Sequence, residues 1–269
     1  SCLVGSEMCI RDSLKVVIRD ASQPVQLLNE GYWGMNFVEG ERYILRTIIR
    51  TSSDYKGKVT VRLLSSEGKI LSSETLDIIN GGEWNDVKKT LTAVGHDSKG
   101  RLALEFDSPG TVWVDYVSLF PENTFNNRPN GLRRDVAEML VGLKPAFFRW
   151  PGGCVVEGIT LDNRFEWKKT LGDPAARPGE YSTWGYRCSY GFGYYEMLQF
   201  CEDIGAKAMF VCNVGLGCQF RMGDACGEHD IDFYIDDCLD AIEYALGDES
   251  TEWGARRACL LYTSDAADD

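Results

Sequence analysis

Residues 130–158 read NGLRRDVAEMLVGLKPAFFRWPGGCVVEG. This stretch contains the first predicted helix and the first predicted strand of the second half of the chain. Apolar residues recur at helical spacing over Leu132–Leu143, which predicts a helix that Asn130 caps and Pro145 ends. Its predicted inward face carries Leu132, Val136, Met139, Leu140 and Leu143. Ala146–Trp150 then reads as a short buried strand that runs into Pro-Gly-Gly.

The alternation of helix and strand continues downstream. A second helix is predicted over Gly193–Ile204, with Tyr194, Met197, Leu198, Cys201 and Ile204 on one side. Ala208–Asn213 reads as the next strand, and a third helix runs from about Ile231 to Leu246. Its predicted inward stripe is Ile231, Tyr234, Ile235, Cys238, Leu239 and Ile242. Strands joined by amphipathic helices indicate a parallel sheet, and periodicity alone does not separate part of a closed barrel from a doubly wound sheet.

The chain before Pro121 has a different character. Short segments rich in β-branched and aromatic residues alternate with turn residues such as Glu67-Gly68 and Asn80-Gly81-Gly82. This pattern predicts six strands, at Tyr43–Arg50, Val59–Leu64, Lys69–Leu76, Asp86–Ala93, Leu102–Phe106 and Thr111–Leu119. Strands at this spacing are typical of an antiparallel β-sandwich.

Composition and charge narrow the classes of function. The 269 residues are 44% hydrophobic, which is enough to build a core, and the formal net charge is −13. An acidic chain disfavours nucleic acid and anionic membrane as partners, since both require basic surface. No apolar run approaches the length of a membrane span.

The cysteines and histidines give no metal motif. No two of the 10 cysteines form a Cys-x-x-Cys pair, and the spacing of Cys212, Cys218, Cys226 and Cys238 fits no common zinc module. His96 and His229 lie in no nucleophile or metal motif. We therefore expect the cysteines to act as small buried apolar residues, and we predict neither a metal nor a cofactor.

Both ends of the chain differ from their neighbours. Residues 1–13 read SCLVGSEMCIRDS and residues 259–269 read CLLYTSDAADD. Both resemble translated sequencing-adapter read-through at the edges of metagenomic reading frames, so we expect non-native tails at 1–13 and 258–269. The expected domains are a β-sandwich over 14–120 and an α/β region over 121–257.

Two strand ends are candidate functional positions, because binding and catalytic residues of parallel α/β folds lie at the carboxyl ends of the strands. The first is Arg149–Cys154. A buried arginine there requires a negative partner, and the two glycines allow a close approach of backbone to ligand; the alternative is a tight turn with a surface ion pair. The second is Asn213, whose amide either meets a sugar hydroxyl or, as we favour, bridges backbone groups.

The loop between these strands, about 155–192, is rich in aromatic residues: Trp167, Tyr181, Trp184, Tyr186 and Tyr190. Aromatic rings pack well against the C–H faces of sugars. For each ring taken alone, a place in a small core beneath the loop is the simpler expectation.

These motifs resemble a known family. The stretch 130–158 looks like the signature region of the α-L-arabinofuranosidases of glycoside hydrolase family 51. The similarity continues through NRFEWKKT (163–170), RPG (177–179), WGY (184–186) and YGFGYYEMLQFCEDIG (190–205). Upstream, NEGYWGMNFV (29–38) and WVDYVSLFP (113–121) resemble members that carry an extra sandwich of the carbohydrate-binding-module type. The resemblance covers nearly all of Leu14–Arg256.

The resemblance implies a jelly-roll, galactose-binding-like sandwich followed by an incomplete (β/α)8 TIM barrel. It implies a retaining enzyme that releases terminal arabinofuranosyl residues from arabinoxylan or arabinan. Two glutamates about 5 Å apart would act as acid/base and as nucleophile. We expect both to lie beyond the C-terminal end of this chain and the chain alone to be inactive, so none of Glu157, Glu166, Glu228 or Glu243 is assigned a catalytic role.

Residue by residue, the resemblance implies supporting and sugar-contact roles. Arg149 matches an arginine that hydrogen-bonds the nucleophile and would help to keep it ionised. Cys154 stands where many members have a sugar-contacting asparagine and others have cysteine, Trp184 matches a tryptophan of the arabinose pocket, and Glu196 matches a structural glutamate. The predicted substrate-binding and supporting residues are Arg149, Gly152, Gly153, Cys154, Trp184 and Asn213.

Two other functions stay open at this point: a non-catalytic carbohydrate-binding protein, and a barrel glycosidase of different sugar specificity. The sandwich is either a sugar-binding module or a structural spacer. A polysaccharide substrate favours an extracellular or periplasmic location over a cytoplasmic one. A homo-oligomer is compatible with the sequence.

Overall fold

The computed structural model describes residues 13–265, so residues 1–12 of the expected tail over 1–13 and residues 266–269 of the expected tail over 258–269 lie outside the described part of the chain. The described residues form two compact units that divide between Glu138 and Met139. Within the described range, no helix has the length and apolar character needed to cross a membrane.

The first unit is built from antiparallel strands. Its strands are β1 (Leu14–Ile18), β2 (Val25–Asn29), β3 (Met35–Phe37), β4 (Arg42–Thr51), β5 (Val59–Leu64), β6 (Ile70–Thr75), β7 (Trp84–Thr92), β8 (Asp97–Phe106) and β9 (Gly110–Pro121). One sheet has the order β1-β9-β4-β7. The other has the order β2-β8-β5-β6, and β3 also pairs with β8. All of these pairs are antiparallel, as predicted.

The two sheets share one apolar core. Along β4 buried and half-buried residues alternate, which places Leu45 and Ile49 on the inward face with no solvent exposure. Val61 on β5 and Leu104 on β8 belong to the same buried cluster from the other sheet. Each such aliphatic side chain contributes roughly 1.5–3 kcal/mol on burial, so this period-two pattern is what holds the sandwich together.

The six predicted strands correspond to β4–β9. The largest difference is at β8, which begins earlier than predicted, at Asp97, because the polar residues before Leu102 pair with β3 through Gly100. Strands β1, β2 and β3 were not predicted, since they are short and mostly exposed or half-buried and so show weak alternation.

The division between the units lies later than the predicted boundary at 120/121. The backbone N–H of Glu122 donates to the carbonyl of Arg42 at 2.9 Å, and the Glu122 carboxylate pairs with the Arg42 guanidinium at 3.1 Å. These contacts keep the residues after Pro121 with the sandwich. Helix α1 (Arg134–Gly142) covers the division itself.

The second unit alternates helices and short strands. After α1 come β10 (Phe147–Trp150), α2 (Gly153–Glu157), β11 (Glu180–Tyr181), β12 (Arg187–Cys188), α3 (Tyr194–Ile204), β13 (Lys207–Phe210), α4 (Ile231–Leu246) and α5 (Glu252–Asp265). Strands β10 and β13 pair in parallel, with Arg149 opposite Met209 and Trp150 opposite Phe210. The predicted parallel pairing of these two strands is confirmed.

The core of this unit is largely aromatic. Helix α3 buries Tyr194, Met197 and Cys201, the face that the sequence predicted. The Tyr194 hydroxyl donates to the carbonyl of Ala241 in α4 at 2.9 Å, and the Tyr194 and Trp167 rings lie 5.2 Å apart. The Tyr194 ring also lies 5.6 Å from the Tyr244 ring of α4, and such tilted ring contacts fix the packing of α3 against α4.

The predicted inward stripe of α4 is largely wrong. Its buried residues are Tyr234, Ala241 and Tyr244, whereas Leu239 and Ile242 are more than half exposed. The rings of Trp167 and Tyr194 meet α4 at Tyr244, which turns that side of the helix inward. Periodicity therefore identified an apolar stripe on α4, but the stripe that packs against the rest of the unit is the neighbouring one, which contains Ala241 and Tyr244.

The predictions for α1 also require correction. Met139 and Leu143 of the predicted inward face are exposed, and Ala137 is the buried residue of the helix. Asn130 is not the cap, because the helix begins at Arg134 and Asn130 lies in a preceding turn with φ 51°.

Helix α5 runs across the predicted start of the C-terminal tail at residue 258. It begins at Glu252 and continues to Asp265 without a break. The foreign origin of residues 258–269 stays a prediction.

Candidate active-site region

The carboxyl ends of β10 and β13 meet, as two parallel neighbours must. The N–H of Val211 continues the ladder by donating to the carbonyl of Trp150 at 3.0 Å. The segments that follow the two strands, Pro151–Cys154 and Cys212–Leu216, therefore emerge at the same edge of the sheet. Both predicted strand-end positions are brought together here.

Arg149 differs from the prediction of a buried arginine. Its side chain is exposed, because only β10 and β13 form this sheet among the described residues and nothing among them covers that face. Within the described range the Arg149 guanidinium makes no hydrogen bond or ion pair. Its positive charge and its donors point outward at the carboxyl edge of the sheet, where they are available to an anionic group.

The turn after β10 presses the arginine against backbone. Trp150-Pro151 is a cis peptide, and Gly152 has φ 85°. A Cβ atom on Gly152 would lie 2.3 Å from Nη1 of Arg149, so only glycine allows this approach. Gly153, also at positive φ, starts α2 and places Cys154 in its first turn.

Asn213 has the structural role that the sequence analysis favoured. Its Nδ2 donates to the carbonyls of Val156 and Leu216 at 2.9 and 3.0 Å, and its Oδ1 accepts from the N–H of Gly215 at 2.6 Å. The amide is fully used by backbone. Asn213 therefore fastens the segment after β13 to α2 and does not present its amide to a ligand.

The aromatic residues of the long loop fall into two groups. Trp167 and Tyr190 are 2% exposed and belong to the core, as expected for rings beneath a loop. Tyr181, Trp184 and Tyr186 are all more than half exposed, on the β11–β12 hairpin and its turn. These three rings offer the exposed surface that a sugar ring would stack on.

The turn that carries Trp184 is anchored to other loops. The Ser182 N–H donates to the Tyr186 carbonyl at 2.7 Å, and Arg221 donates to the Thr183 carbonyl at 2.7 Å. No hydrogen bond or ring contact in the described chain joins Trp184 to Arg149 or Cys154. The structure therefore brings Arg149, Gly152, Gly153, Cys154 and Asn213 to one edge of the sheet, and Trp184 lies on the anchored β11–β12 hairpin.

The glutamates of this unit are mostly engaged in structural contacts. Glu196 forms a 2.7 Å ion pair with the buried Arg177 and accepts from the N–H of Gly193, at the start of α3. Glu166 pairs with Arg164 and Lys169. Glu180 accepts from the Tyr190 hydroxyl at 2.8 Å, and burial raises the pKa of Glu180. The structural role implied for Glu196 is what these contacts show.

A group of side chains beside Cys154 was not predicted. The Sγ atoms of Cys154 and Cys218 and a carboxylate oxygen of Glu157 all lie within 4.8 Å of one another. A hydrogen bond with Cys154 raises the pKa of the Cys218 thiol. Cys154 and Glu157 are three residues apart on α2, which is the one sequence signal that points to the group. Cys212 lies apart, its pKa raised to about 12 by burial and by a hydrogen bond with Cys238.

The sandwich has an exposed aromatic surface of its own. Tyr32 and Trp33, in the turn between β2 and β3, are 90% and 85% exposed, with ring centroids 4.9 Å apart. They border an open cavity of about 310 Å³. Polar side chains complete its wall: Glu30, Ser66, Lys99 and Arg101.

Comparison with known proteins places these features in context. The family model described as "Alpha-L-arabinofuranosidase 1 domain" matches residues 139–262. Alpha-L-arabinofuranosidase 2 of Arabidopsis thaliana is 35% identical over 97% of this chain and 38% of the relative. The extracellular exo-alpha-L-arabinofuranosidase of Streptomyces chartreusis is 34% identical over 86% of this chain and 29% of the relative.

A solved structure is similar over both units. The arabinose-bound MgGH51 α-L-arabinofuranosidase superposes with a TM-score of 0.88 at 32% identity, over 94% of this chain and 41% of that one. This chain therefore spans between 29% and 41% of the length of these three proteins.

Proposed function

The chain belongs to the α-L-arabinofuranosidases of glycoside hydrolase family 51, and we propose that it supplies the sandwich and the Arg149-bearing wall of a retaining enzyme. That enzyme releases terminal arabinofuranosyl residues from arabinoxylan- or arabinan-type polysaccharides. The arabinose bound in the similar solved structure supports this substrate class. The second unit is proposed to be part of a (β/α)8 barrel, on the support of the parallel β10–β13 pair.

The observation that carries the proposal is the position of the Arg149 guanidinium and its lack of a carboxylate partner among the described residues. This guanidinium lies beside Gly152 at the carboxyl edge of two parallel strands, and no described carboxylate pairs with it. In the proposed enzyme its partner is the nucleophilic carboxylate, which the arginine keeps ionised. Neither the nucleophile nor the acid/base is assigned to Glu166, Glu180 or Glu196, since each is engaged in the contacts described above.

A chimaeric protein tests the proposal. Residues 14–257 would replace the equivalent segment of Arabidopsis thaliana α-L-arabinofuranosidase 2. We expect the folded chimaera to hydrolyse an aryl α-L-arabinofuranoside in preference to an aryl β-D-xyloside. A chimaera with native-like circular dichroism that prefers the xyloside would favour a barrel glycosidase of other specificity, and one that hydrolyses neither would contradict the proposal.

A second candidate function rests on Tyr32 and Trp33. These two adjacent rings are 90% and 85% exposed, more than any other large apolar side chain among the described residues of the sandwich, and a polar-walled cavity adjoins them. We propose that this surface binds carbohydrate. Affinity electrophoresis in gels containing soluble arabinoxylan should show retardation that Trp33→Ala removes and Trp84→Ala, a half-exposed ring on the same unit, preserves. Equal mobility with and without polysaccharide would favour the spacer role.

A further inference from the structure

Cys154, Glu157 and Cys218 converge from two segments that the structure fastens together. Cys154 and Glu157 lie on α2, and Cys218 lies in the loop after β13. Their two Sγ atoms and one carboxylate oxygen are mutually within 4.8 Å. We propose that these three side chains form a binding site for a thiophilic divalent cation, with Zn²⁺ as the preferred ion.

The distances suit a single ion. Zinc binds sulfur at about 2.3 Å and carboxylate oxygen at about 2.0–2.2 Å, so ligand atoms around one tetrahedral zinc lie about 3.5–3.8 Å apart. A separation of at most 4.8 Å requires only small side-chain rotations to close around the ion. Of the four cysteines whose spacing fits no common zinc module, only Cys218 belongs to this group, and Cys212 instead shares a hydrogen bond with Cys238.

The loop that supplies Cys218 is held in place independently of the three ligands. The Cys218 carbonyl accepts from the N–H groups of Arg221 and Gly223, and the Gly217 N–H donates to the Asp224 carbonyl at 2.8 Å. The Asp224 side chain in turn accepts from the N–H of Leu161, beyond the end of α2, at 2.9 Å. A site whose ligands are positioned by surrounding hydrogen bonds loses little entropy when the ion binds.

Asn213 adds the direct link between the two segments. Its amide joins the Val156 carbonyl on α2 to the backbone of Gly215 and Leu216, which leads into Cys218. These hydrogen bonds therefore join α2, which carries Cys154 and Glu157, to the segment that leads into Cys218.

The donor set selects the ion. Thiolates prefer zinc and similar borderline or soft cations, whereas magnesium and calcium prefer all-oxygen sites. Two thiolates and one carboxylate hold the ion with three protein ligands and leave a fourth position for water or a hydroxyl group. Cys218 is 1% exposed while Cys154 and Glu157 are half-buried, so the fourth position faces the side from which solvent enters.

Cobalt is the probe, because thiolate-bound Co²⁺ absorbs light and Zn²⁺ displaces it. The full 269-residue chain, reduced and freed of metal, would be titrated with Co²⁺ and then with Zn²⁺. We expect a thiolate-to-cobalt charge-transfer band that saturates and is lost on addition of Zn²⁺. Cys154→Ser, Cys218→Ser and Glu157→Gln should each weaken the binding by more than about tenfold, since the loss of even an outer-shell partner costs about 10–100-fold.

Cys188→Ser is the matched control, because Cys188 is half-buried in the same unit and outside the three-residue group. It should leave the titration unchanged, and circular dichroism should show that each variant is folded. Equal Co²⁺ affinity in wild type and all three ligand variants would overturn the proposal. So would a Cys154–Cys218 disulfide found by peptide mass spectrometry in the protein as isolated, since oxidised sulfur does not bind the ion. Neither result bears on the glycosidase proposal, which does not require a metal.

Discussion

The sandwich and the α/β unit use their apolar residues differently. In the sandwich the inward positions of β4, β5 and β8 are almost fully buried by the opposing sheet. In the α/β unit the aromatic core around Trp167 and Tyr194 is equally well buried. However, the apolar side chains of Phe147, Met209 and Leu239 are each more than two fifths exposed. Burial in the sandwich follows directly from alternation within its own strands. In the α/β unit, which apolar face is buried depends on the element that packs against it.

The largest effect should come from a core substitution in the sandwich. Phe106 on β8 has no solvent exposure, and Phe106→Ala should lower the free energy of unfolding of the sandwich by about 3–5 kcal/mol. Leu239→Ala, on the exposed face of α4, is the matched change in the other unit and should cost no more than about 0.5 kcal/mol. Urea unfolding followed by tryptophan fluorescence measures both. A similar cost for the two variants would show that the described burial does not govern stability.

Arg177 tests the polar part of the second unit. Its guanidinium is 3% exposed and donates to the carbonyls of Gly172 and Tyr190 as well as to Glu196. Arg177→Met would leave these acceptors and one carboxylate without their donor, which should cost about 3 kcal/mol. Arg187→Met, an exposed arginine that donates to the Pro178 carbonyl, is the control. Thermal unfolding with Tm values that fall equally for both would contradict the assigned role.

Asn213 should show an intermediate effect. Asn213→Asp keeps the side-chain shape but replaces the two donors to Val156 and Leu216 by a second acceptor oxygen. Two backbone carbonyls would lose their partner, so we expect a loss of about 1–3 kcal/mol. Urea unfolding should show this loss in Asn213→Asp and not in Asn36→Asp, an exposed asparagine on β3. Equal stability of the two variants would mean that the Asn213 amide does not hold this segment.

The smallest effect concerns pH. Burial raises the pKa of Glu180 above its ordinary value of about 4.3. The native state therefore binds the proton more tightly than the unfolded state, and this contribution to stability is present below the ordinary pKa and is lost as pH rises through the raised one. Glu180→Gln should still accept from Tyr190, so its stability relative to wild type should increase from pH 4 to pH 7. Glu252→Gln, at an exposed glutamate in the first turn of α5, should show no such trend. The expectation fails if the stability of Glu180→Gln relative to wild type is equally independent of pH.

Several features could be predicted from sequence because they are local. Six of the sandwich strands, helix α3 and the parallel strands β10 and β13 follow from alternation and helical spacing. The buried faces of α1 and α4 could not be predicted, because each helix has more than one apolar stripe and only tertiary packing selects among them. For the same reason Arg149 was predicted to be buried, although β10 and β13 leave its face uncovered.

The site shows the same limit. Arg149, Gly152, Gly153 and Cys154 are consecutive enough for a motif to identify them, and the strand-end rule found Asn213. Glu157 and Cys218 were missed, because their approach depends on the fold of the loop after β13. The hydrogen bond that anchors the turn of Trp184 joins Arg221 to the Thr183 carbonyl, 38 residues apart in the chain, so no local spacing in the sequence predicts it.

The most direct test of the account is the kinetics of Arg149 in the chimaera with Arabidopsis thaliana α-L-arabinofuranosidase 2. Arg149→Ala should lower kcat/KM on an aryl α-L-arabinofuranoside by at least about a hundredfold and move the acidic limb of the pH–rate profile to higher pH, because the nucleophile loses the charge that keeps it ionised. Arg256→Ala, an exposed arginine on α5, should change neither. Wild-type kcat/KM and an unmoved acidic limb in folded Arg149→Ala would contradict the central claim that this arginine serves an arabinofuranose-cleaving site.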